Sequence, residues 1–324
     1  MNVKRLVLMA IVAVGSGAVP ASTMSAPSYP QQPVKIVVSL LPGTGPDLIA
    51  RAVADKLSAR LGQTFVVENR PGAAGNIGAE SVVKSAPDGH TLLVSLNTTF
   101  TVNPGLYKKP PFDPNRDFRY ISILTRSTNM LVVHSSVPVN SVAEFVAYAK
   151  KEPISYAHGG PGTPGHLCME YFRLLAGFQT MPVPYRGNTQ LATDLAAGQI
   201  KFGFVGTGGV AQHVRAGRLK GLAVSSGKRS PFAPDVPTIA ESGYPDFEFE
   251  SYTVLAAPAG VPEPVAVLLE REVQQALASP ELQERLRAQD TLVDWAGSAK
   301  AEARIKADAK TWAKVIQATG MRVD

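Results

Sequence analysis

Few side chains in this 324-residue sequence are spaced for bond-breaking chemistry. The five histidines (His90, His134, His158, His166, His213) form no H-x-x-x-H or H-E-x-x-H pair. No metal site is therefore expected. Cys168 follows His166 by two positions in one predicted helix, which turns the two side chains about 200° apart. They cannot act as a nucleophile–base pair. As the single cysteine it also excludes an internal disulfide and any cysteine-built zinc or iron–sulfur centre. Ser225-Ser226 lacks a nucleophile-elbow context, and no paired carboxylates flank a glycine-rich loop. No catalytic residue and no cofactor is expected.

What recurs instead is the small-residue corner. Four stretches have this composition: SLLPGTGPD (39–47), SLNTTFTVNP (95–104), AHGGPGTPGH (157–166) and VGTGGV (205–210). A fifth, YRGNT (185–189), carries a charge. Leu41, Thr44, Gly45, Asn97, Thr98, Thr99, His158, Gly160, Gly162, Thr163, His166, Tyr185, Arg186, Gly187, Gly206 and Thr207 all lie in these corners. Where a strand feeds a helix, such a corner leaves backbone N–H groups free at the positive end of the helix. One helix N-terminus favours an anion by about 0.3–2 kcal/mol. Charge-assisted hydrogen bonds contribute about 1.5–3 kcal/mol each. Micromolar binding needs about −8 kcal/mol net, so several corners must converge. The first corner also resembles a dinucleotide-binding turn, with Glu68 where a ribose carboxylate would sit. Its third glycine, however, would fall at Leu48, whose side chain blocks the close helix–strand approach, and Pro46 removes an amide donor.

The elements that must place these corners follow from periodicity. Val34–Leu40 is a continuous β-branched run, as in a strand buried on both faces. Ile49, Val53, Leu57 and Leu61 make one helical stripe, which Gly62 ends. Further strands are predicted at Thr64–Glu68, Thr91–Leu96, Ile121–Leu124, Leu131–His134, Ile154–Ala157, Val183–Tyr185, Ile200–Val205 and Gly221–Ser225. Ser141 and Glu144 form a capping box for the helix SVAEFVAYAKK. His166–Leu175 and Gln190–Ala197 are helical, closed by Gly177 and Gly198. The C-terminal third is predicted helical at Pro264–Ala278, Pro280–Ala288 and Lys300–Thr319. In the last helix, Lys300, Glu302, Arg304, Lys306, Asp308 and Lys310 read as a solvated face. Trp295 and Trp312 read as core. Strand–helix alternation at this spacing predicts an α/β fold with two mostly parallel sheets flanked by helices. In such sheets ligands sit beyond the carboxyl ends of strands.

Composition narrows the function classes. With 45% hydrophobic residues the chain is globular rather than disordered. The net charge is +6, and the basic residues are scattered, so no nucleic-acid partner is expected. Lys4-Arg5, nine apolar residues (Leu6–Val14) and small residues near Ala21 and Ala26 read as an export signal over 1–26. Its apolar run would span about 14 Å as a helix, too short to cross a bilayer. Without it the chain carries 30 basic and 26 acidic residues. The product is expected to be soluble and exported.

Longer strings carry a family resemblance. They are YPQQPVKIVVSLLPGTGPDLIAR (29–51), FVVENRPGAAGNIGAE (65–80), APDGHTLL (86–93), NPGLYKKPPFDPNRDF (103–118), YAHGGPGTPGHL (156–167), VPYRG (183–187), HVRAGRLKGLAVSSGKRSPFAPDVPTIAESG (213–243) and APAGVP (257–262). Together they resemble the Bug-type solute-binding proteins of tripartite tricarboxylate transporters. The resemblance implies a two-lobed periplasmic-binding-protein architecture joined by crossing hinge strands. It places lobe I at 27–125 and 227–324 and lobe II at 126–226, with hinge segments near Ile121–Thr125 and Gly221–Ser225. It implies a monomer that captures a small carboxylic acid by closure and presents it to membrane permease subunits or to a sensor protein. Thr44, Gly45 and Asp47 then occupy the first-loop position, Asp47 as a helix-start stabiliser, and Asn97–Thr99 the second. Gly160, Gly162, Thr163 and His166 form the second lobe's glycine loop, followed by Tyr185–Gly187. The chain departs from the family's pattern at Pro46, where a hydroxyl residue is usual, and at His158 and Pro161, where small polar residues are common. Val205-Gly206 replaces an acidic–polar pair, which points to an acid without an ammonium group. The rival reading is an exported hydrolase with His166 or His158 as base.

Overall fold

The structure is a computed structural model that describes residues 29–151, 153–287 and 291–323. The predicted export segment lies outside these residues, as does Ala288. Among the described residues the first part of the chain runs β1 (Val34–Val38), α1 (Gly45–Leu61), β2 (Phe65–Asn69), α2 (Asn76–Val83) and β3 (Thr91–Leu96). It continues through α3 (Asn97–Thr101), α4 (Asn103–Leu106) and β4 (Phe118–Ser127). There follow β5 (Asn129–His134), α5 (Val142–Lys151), β6 (Ile154–His158), α6 (Pro164–Ala176), β7 (Thr180–Pro184), α7 (Asn188–Ala196), β8 (Phe202–Gly206), α8 (Thr207–Arg215) and β9 (Leu219–Val224). The last part is β10 (Ser251–Pro258), α9 (Glu263–Leu277), α10 (Pro280–Arg287), β11 (Leu292–Gly297) and α11 (Ser298–Thr319).

Two sheets result, ordered β11-β4-β10-β3-β1-β2 and β7-β6-β8-β5-β9. Both are mixed, which corrects the expectation of mostly parallel sheets. In the first, β1 pairs in parallel with β2 and β3, but β10 runs antiparallel between β3 and β4, and β11 antiparallel to β4. In the second, β6 is parallel to β7 and β8, while β5 is antiparallel to β8 and β9. Two of the antiparallel strands, β5 and β10, are those by which the chain enters the second sheet and re-enters the first. Strand β4 leads directly into β5 of the other sheet through Thr128, and the chain returns between β9 and β10.

Alternation along β1 explains the layers. Val34, Ile36 and Val38 face Ile49, Val53 and Leu57 of α1 and Leu269 and Val273 of α9. Val37 and Leu93 face the opposite layer, with Val82 of α2 and Ile305 of α11. In the second sheet Val132 and Val205 pack on Leu191 and Leu195 of α7, and Leu131 and Phe204 on Leu167 and Phe172 of α6. Burying such a side chain stabilises the fold by about 1.5–3 kcal/mol. The α5 capping box forms: the Glu144 amide donates to Ser141 Oγ at 3.1 Å, and the Glu144 carboxylate accepts from the Asn140 amide at 2.7 Å.

Part of the segment between β9 and β10 packs with the second sheet. The Ile239 amide donates to the Val224 carbonyl at 3.0 Å, extending the β9 edge. Ile239, Phe247 and Phe249 join the same core as Phe172 and Phe204. That core also takes in Val102 and Leu106 beside the first sheet and Trp312, Val315 and Ile316 of α11. The face of α11 read as solvated is only partly so. Lys306 pairs with Glu302 at 2.5 Å, but Arg304 turns inward over the Tyr252 ring, 4.3 Å from its centroid, and pairs with Glu250 at 2.9 Å. Asp308 likewise accepts from the Tyr252 hydroxyl at 2.6 Å.

Candidate functional site

In the first sheet, β1 delivers the chain to a turn at Leu41–Thr44. Asp47 ties this turn down. Its carboxylate accepts from the Gly43 amide (2.9 Å), Arg51 Nε (3.1 Å) and Asn69 Nδ2 (2.8 Å). Burial pushes the Asp47 carboxyl up, but the hydrogen bonds from Arg51, Gly43 and Asn69 outweigh it and hold the group below the usual carboxylate range. This carboxylate is committed to its own loop. Thr44 caps α1 by backbone position only, because its hydroxyl donates to the Leu41 carbonyl at 2.7 Å. The first amides of α1 are therefore left without a side-chain cap, and Leu41 stands exposed beside them.

At the end of β3 the polar side chains face inward. The Asn97 carboxamide donates to the Glu250 carbonyl (3.1 Å) and accepts from the Tyr252 amide (3.3 Å), joining α3 to β10. A hydroxyl chain runs Ser39–Ser95–Thr99, with Oγ separations of 2.6 and 2.8 Å, and Thr99 donates onward to the Ala74 carbonyl at 3.2 Å. This chain supports a corner that sequence reasoning missed. Ala73 and Ala74 both have positive φ, 47° and 52°. The left-handed region costs an alanine about 1–2 kcal/mol. Asn103 Nδ2 also donates to the Ala74 carbonyl, at 3.0 Å. Strain held in place by several hydrogen bonds is a mark of functional loops. Its signal was the PGAAGN run, where the alanines hid the conformation that glycine would have announced.

The second sheet offers matching corners. Thr163 caps α6 as Thr44 caps α1, with its hydroxyl again spent on a loop carbonyl, Gly160 O at 2.7 Å. Gly165 is required by packing, since a Cβ there would overlap the Phe204 carbonyl oxygen. That contact seats the start of α6 against β8. His158 ends β6 and packs against His166, with ring centroids 4.6 Å apart and the planes tilted by 33°. The Gly160 amide donates to His158 Nδ1 and the Gly162 amide to His166 Nδ1, each at 3.2 Å. Burial lowers both imidazoles, His166 to about 3, with His158 and Arg173 adding to the effect there. Burial thus makes both rings weaker bases than a free imidazole. Tyr185 donates its amide to the His158 carbonyl at 2.8 Å, and burial and then Asp194 raise its phenol. Arg186 is exposed and has no ion-pair partner among the described residues.

The two sets of corners meet. Gly162 is buried, and a Cβ on it would lie 2.9 Å from Leu106, 3.6 Å from Ala74 and 3.7 Å from Asn103 Oδ1. A Cβ on Gly187 would lie 4.0 Å from Leu41. The β6–α6 and β7–α7 turns thus close against the β1–α1 and Ala73–Asn76 turns. Asn97 and Thr207 do not present their side chains to this seam. Thr207 gives both its amide and its hydroxyl to the Thr128 carbonyl at 3.0 Å, beside the crossing between sheets. Two further concavities lie elsewhere. One is bordered by Arg126, Lys228 and Arg229, the other by Phe112, Ala309 and Ala313.

Two α/β units joined by crossing strands, with amide-rich turns facing each other, define the class of bilobal solute-binding receptors. Residues 49–321 match the family described as tripartite tricarboxylate transporter family receptor, TctC, and the chain belongs to it. It is 32% identical over 326 residues to BugT of Bordetella pertussis, covering 100% of both chains. Among solved structures, Rpa4515 of R. palustris with adipate superposes with a TM-score of 0.83 at 32% identity, over 91% of this chain and 99% of that one. MatC from Rhodopseudomonas palustris with bound malate gives 0.80 at 28% identity, over 89% and 100%. The protein is a solute-binding receptor of this family.

Proposed function

We propose that the chain captures a small dicarboxylate between its two sheets by hinge closure and presents it, outside the cytoplasm, to the permease subunits of a tripartite tricarboxylate transporter. The observation that carries this reading is the meeting of Gly162 with Ala74, Asn103 and Leu106, which brings two sets of amide-rich turns together at one seam. That MatC holds malate and Rpa4515 adipate supports an acid with two carboxylates. The contacts assigned here are the free amides at Gly45 and Ala73–Ala74 on one side. Facing them are Gly160–Thr163, His158, His166, Tyr185, Arg186 and Gly187. Leu41 closes the mouth. Asn97, Thr98, Thr99, Gly206 and Thr207 support the site from behind.

Lobe I on this reading is 29–127 with 251–323, and lobe II is 128–250. The second boundary is set at 250 on this reading because Ile239, Phe247 and Phe249 share a core with Phe172 and Phe204. Closure turns on Thr128 and Ser225, whose hydroxyls lie 3.1 Å apart at the crossing. Closure needs a ligand that binds the closed state better, and Arg186 with the second-sheet amides supplies that difference. Among the described residues no helix is long and apolar enough to cross a membrane.

Calorimetry against an adipate, malate and succinate panel tests the proposal. Arg186→Ala should weaken the bound acid by about 10- to 100-fold, the worth of one charge-assisted hydrogen bond. Unchanged affinity removes Arg186 from the site. Release of a chemically altered acid favours the hydrolase.

A further inference from the structure

We propose that His158 and His166 form a donor-only pair that makes the second-sheet wall select a carboxylate over an ammonium at the same position of the ligand. This rests on the receptor reading and names the chemistry of one wall of that site. A neutral imidazole has one N–H donor and one lone-pair acceptor. In both rings the acceptor is already used: the Gly160 amide occupies His158 Nδ1, and the Gly162 amide occupies His166 Nδ1. The proton of each ring is therefore on Nε2. Among the described residues neither Nε2 has a hydrogen-bond partner, and neither is among the buried polar atoms sealed without one. Both sit at the base of the loop whose tip, Gly162, meets Leu106 and Asn103 across the seam.

Protonation would require a second N–H at Nδ1, directed at an amide hydrogen, so it would break the contact that shapes the glycine loop. The adjacent rings, with centroids 4.6 Å apart, also oppose a charge on each other. The charged groups packed against the pair leave little field to reverse this. Glu170 and Arg173 on α6 neutralise each other at 2.6 Å, and Tyr156 on β6 donates its hydroxyl to Glu170 at 2.9 Å. Burial is the largest cause in both rings and favours the neutral form, although at His158 the Gly160 backbone and Glu170 act the other way. The pair thus offers hydrogens and no lone pair. A carboxylate oxygen finds a partner there, whereas an ammonium meets two N–H groups and is left desolvated and unpaired.

The test uses the full protein with ¹⁵N-labelled histidine. Two-bond ¹H–¹⁵N spectra should show both rings as the Nε2–H form, without titration between about pH 5 and 8. Calorimetry should then show adipate binding at least about tenfold more tightly than ε-aminocaproate, its analogue with one carboxylate end replaced by an ammonium. Glutamine supplies a carbonyl acceptor as well as a donor, so His158→Gln should reduce that ratio to below about threefold. His166→Gln serves as the second variant, because His158 is the more buried of the two. An Nδ1–H form, a titration within that range, or an unchanged ratio in both variants that still bind adipate overturns the pair and leaves the receptor reading standing. Failure of the wild-type protein to bind any acid of the panel overturns the dicarboxylate reading, and the pair with it.

Discussion

The Asp47 carboxylate shows how a charged residue at a binding loop can serve the loop rather than the ligand. Its partners are the Gly43 amide in the turn, Arg51 one helical turn on, and Asn69 at the end of β2. Replacing it by asparagine keeps the shape but sets a carboxamide NH2 against at least one of these donors. Asp47→Asn should lower stability by about 1–3 kcal/mol, the usual cost of losing hydrogen bonds to a charged group. The folded carboxyl lies below its ordinary value, so the unfolded chain takes up the proton first as pH falls. The contribution of Asp47 is complete above the unfolded value of about 3.9 and disappears as pH drops through the lower folded value. Thermal midpoints of the wild type and Asp47→Asn should therefore differ near neutrality and converge in acid. A gap that persists at low pH would assign the loss to geometry rather than charge.

At the scale of elements, the α5 start gives a clean measurement. Ser141→Ala removes the acceptor for the Glu144 amide and should cost about 1 kcal/mol by denaturant unfolding, with no effect on acid binding, because α5 lies away from the glycine turns. This cap was legible from the sequence, as were α1, β3, α6 and the corners between strands and helices, since each is marked by glycine, proline or a strict apolar period. Strand direction was not legible. β5 and β10 are buried along nearly their whole length, so they carry no in–out alternation to distinguish an antiparallel partner from a parallel one. β10 was missed altogether: SYTVLAAP follows a long irregular segment and ends in small residues that resemble a loop. β11 was hidden differently, because five of its six residues are only half-buried. Partner choice was also out of reach. That Asn97 would spend its carboxamide on Glu250 and Tyr252, and Thr207 its hydroxyl on Thr128, depends on residues 79 to 155 positions away in the chain.

Over the whole molecule, besides the apolar core that joins α11 to α6, the crossing and the mouth connect the two sheets with different mechanics. At the crossing, Thr128, Ser225 and Ser251 are held by hydrogen bonds, among them Ser225 Oγ to the Phe249 carbonyl at 2.8 Å and Asn129 Nδ2 to Ser251 Oγ at 3.4 Å. Such contacts can tilt without losing apolar burial. At the mouth, the contact is steric: buried Gly162 fits against Leu106 with no room for a side chain. If the hinge opens this seam and the ligand closes it, bulk at position 162 should penalise the closed form alone. Gly162→Val should then weaken acid binding by about 5- to 150-fold, the equivalent of about 1–3 kcal/mol of overpacking, and chiefly through faster dissociation. Gly162 has φ of +74°, so valine also strains the backbone in either form. Gly177→Val controls for this, because Gly177 has φ of +70° and a Cβ added there would meet nothing within 4 Å. Both variants should lose similar thermal stability without ligand, and only Gly162→Val should lose affinity. Equal affinities in the two would show that the seam stays together whether or not the acid is bound.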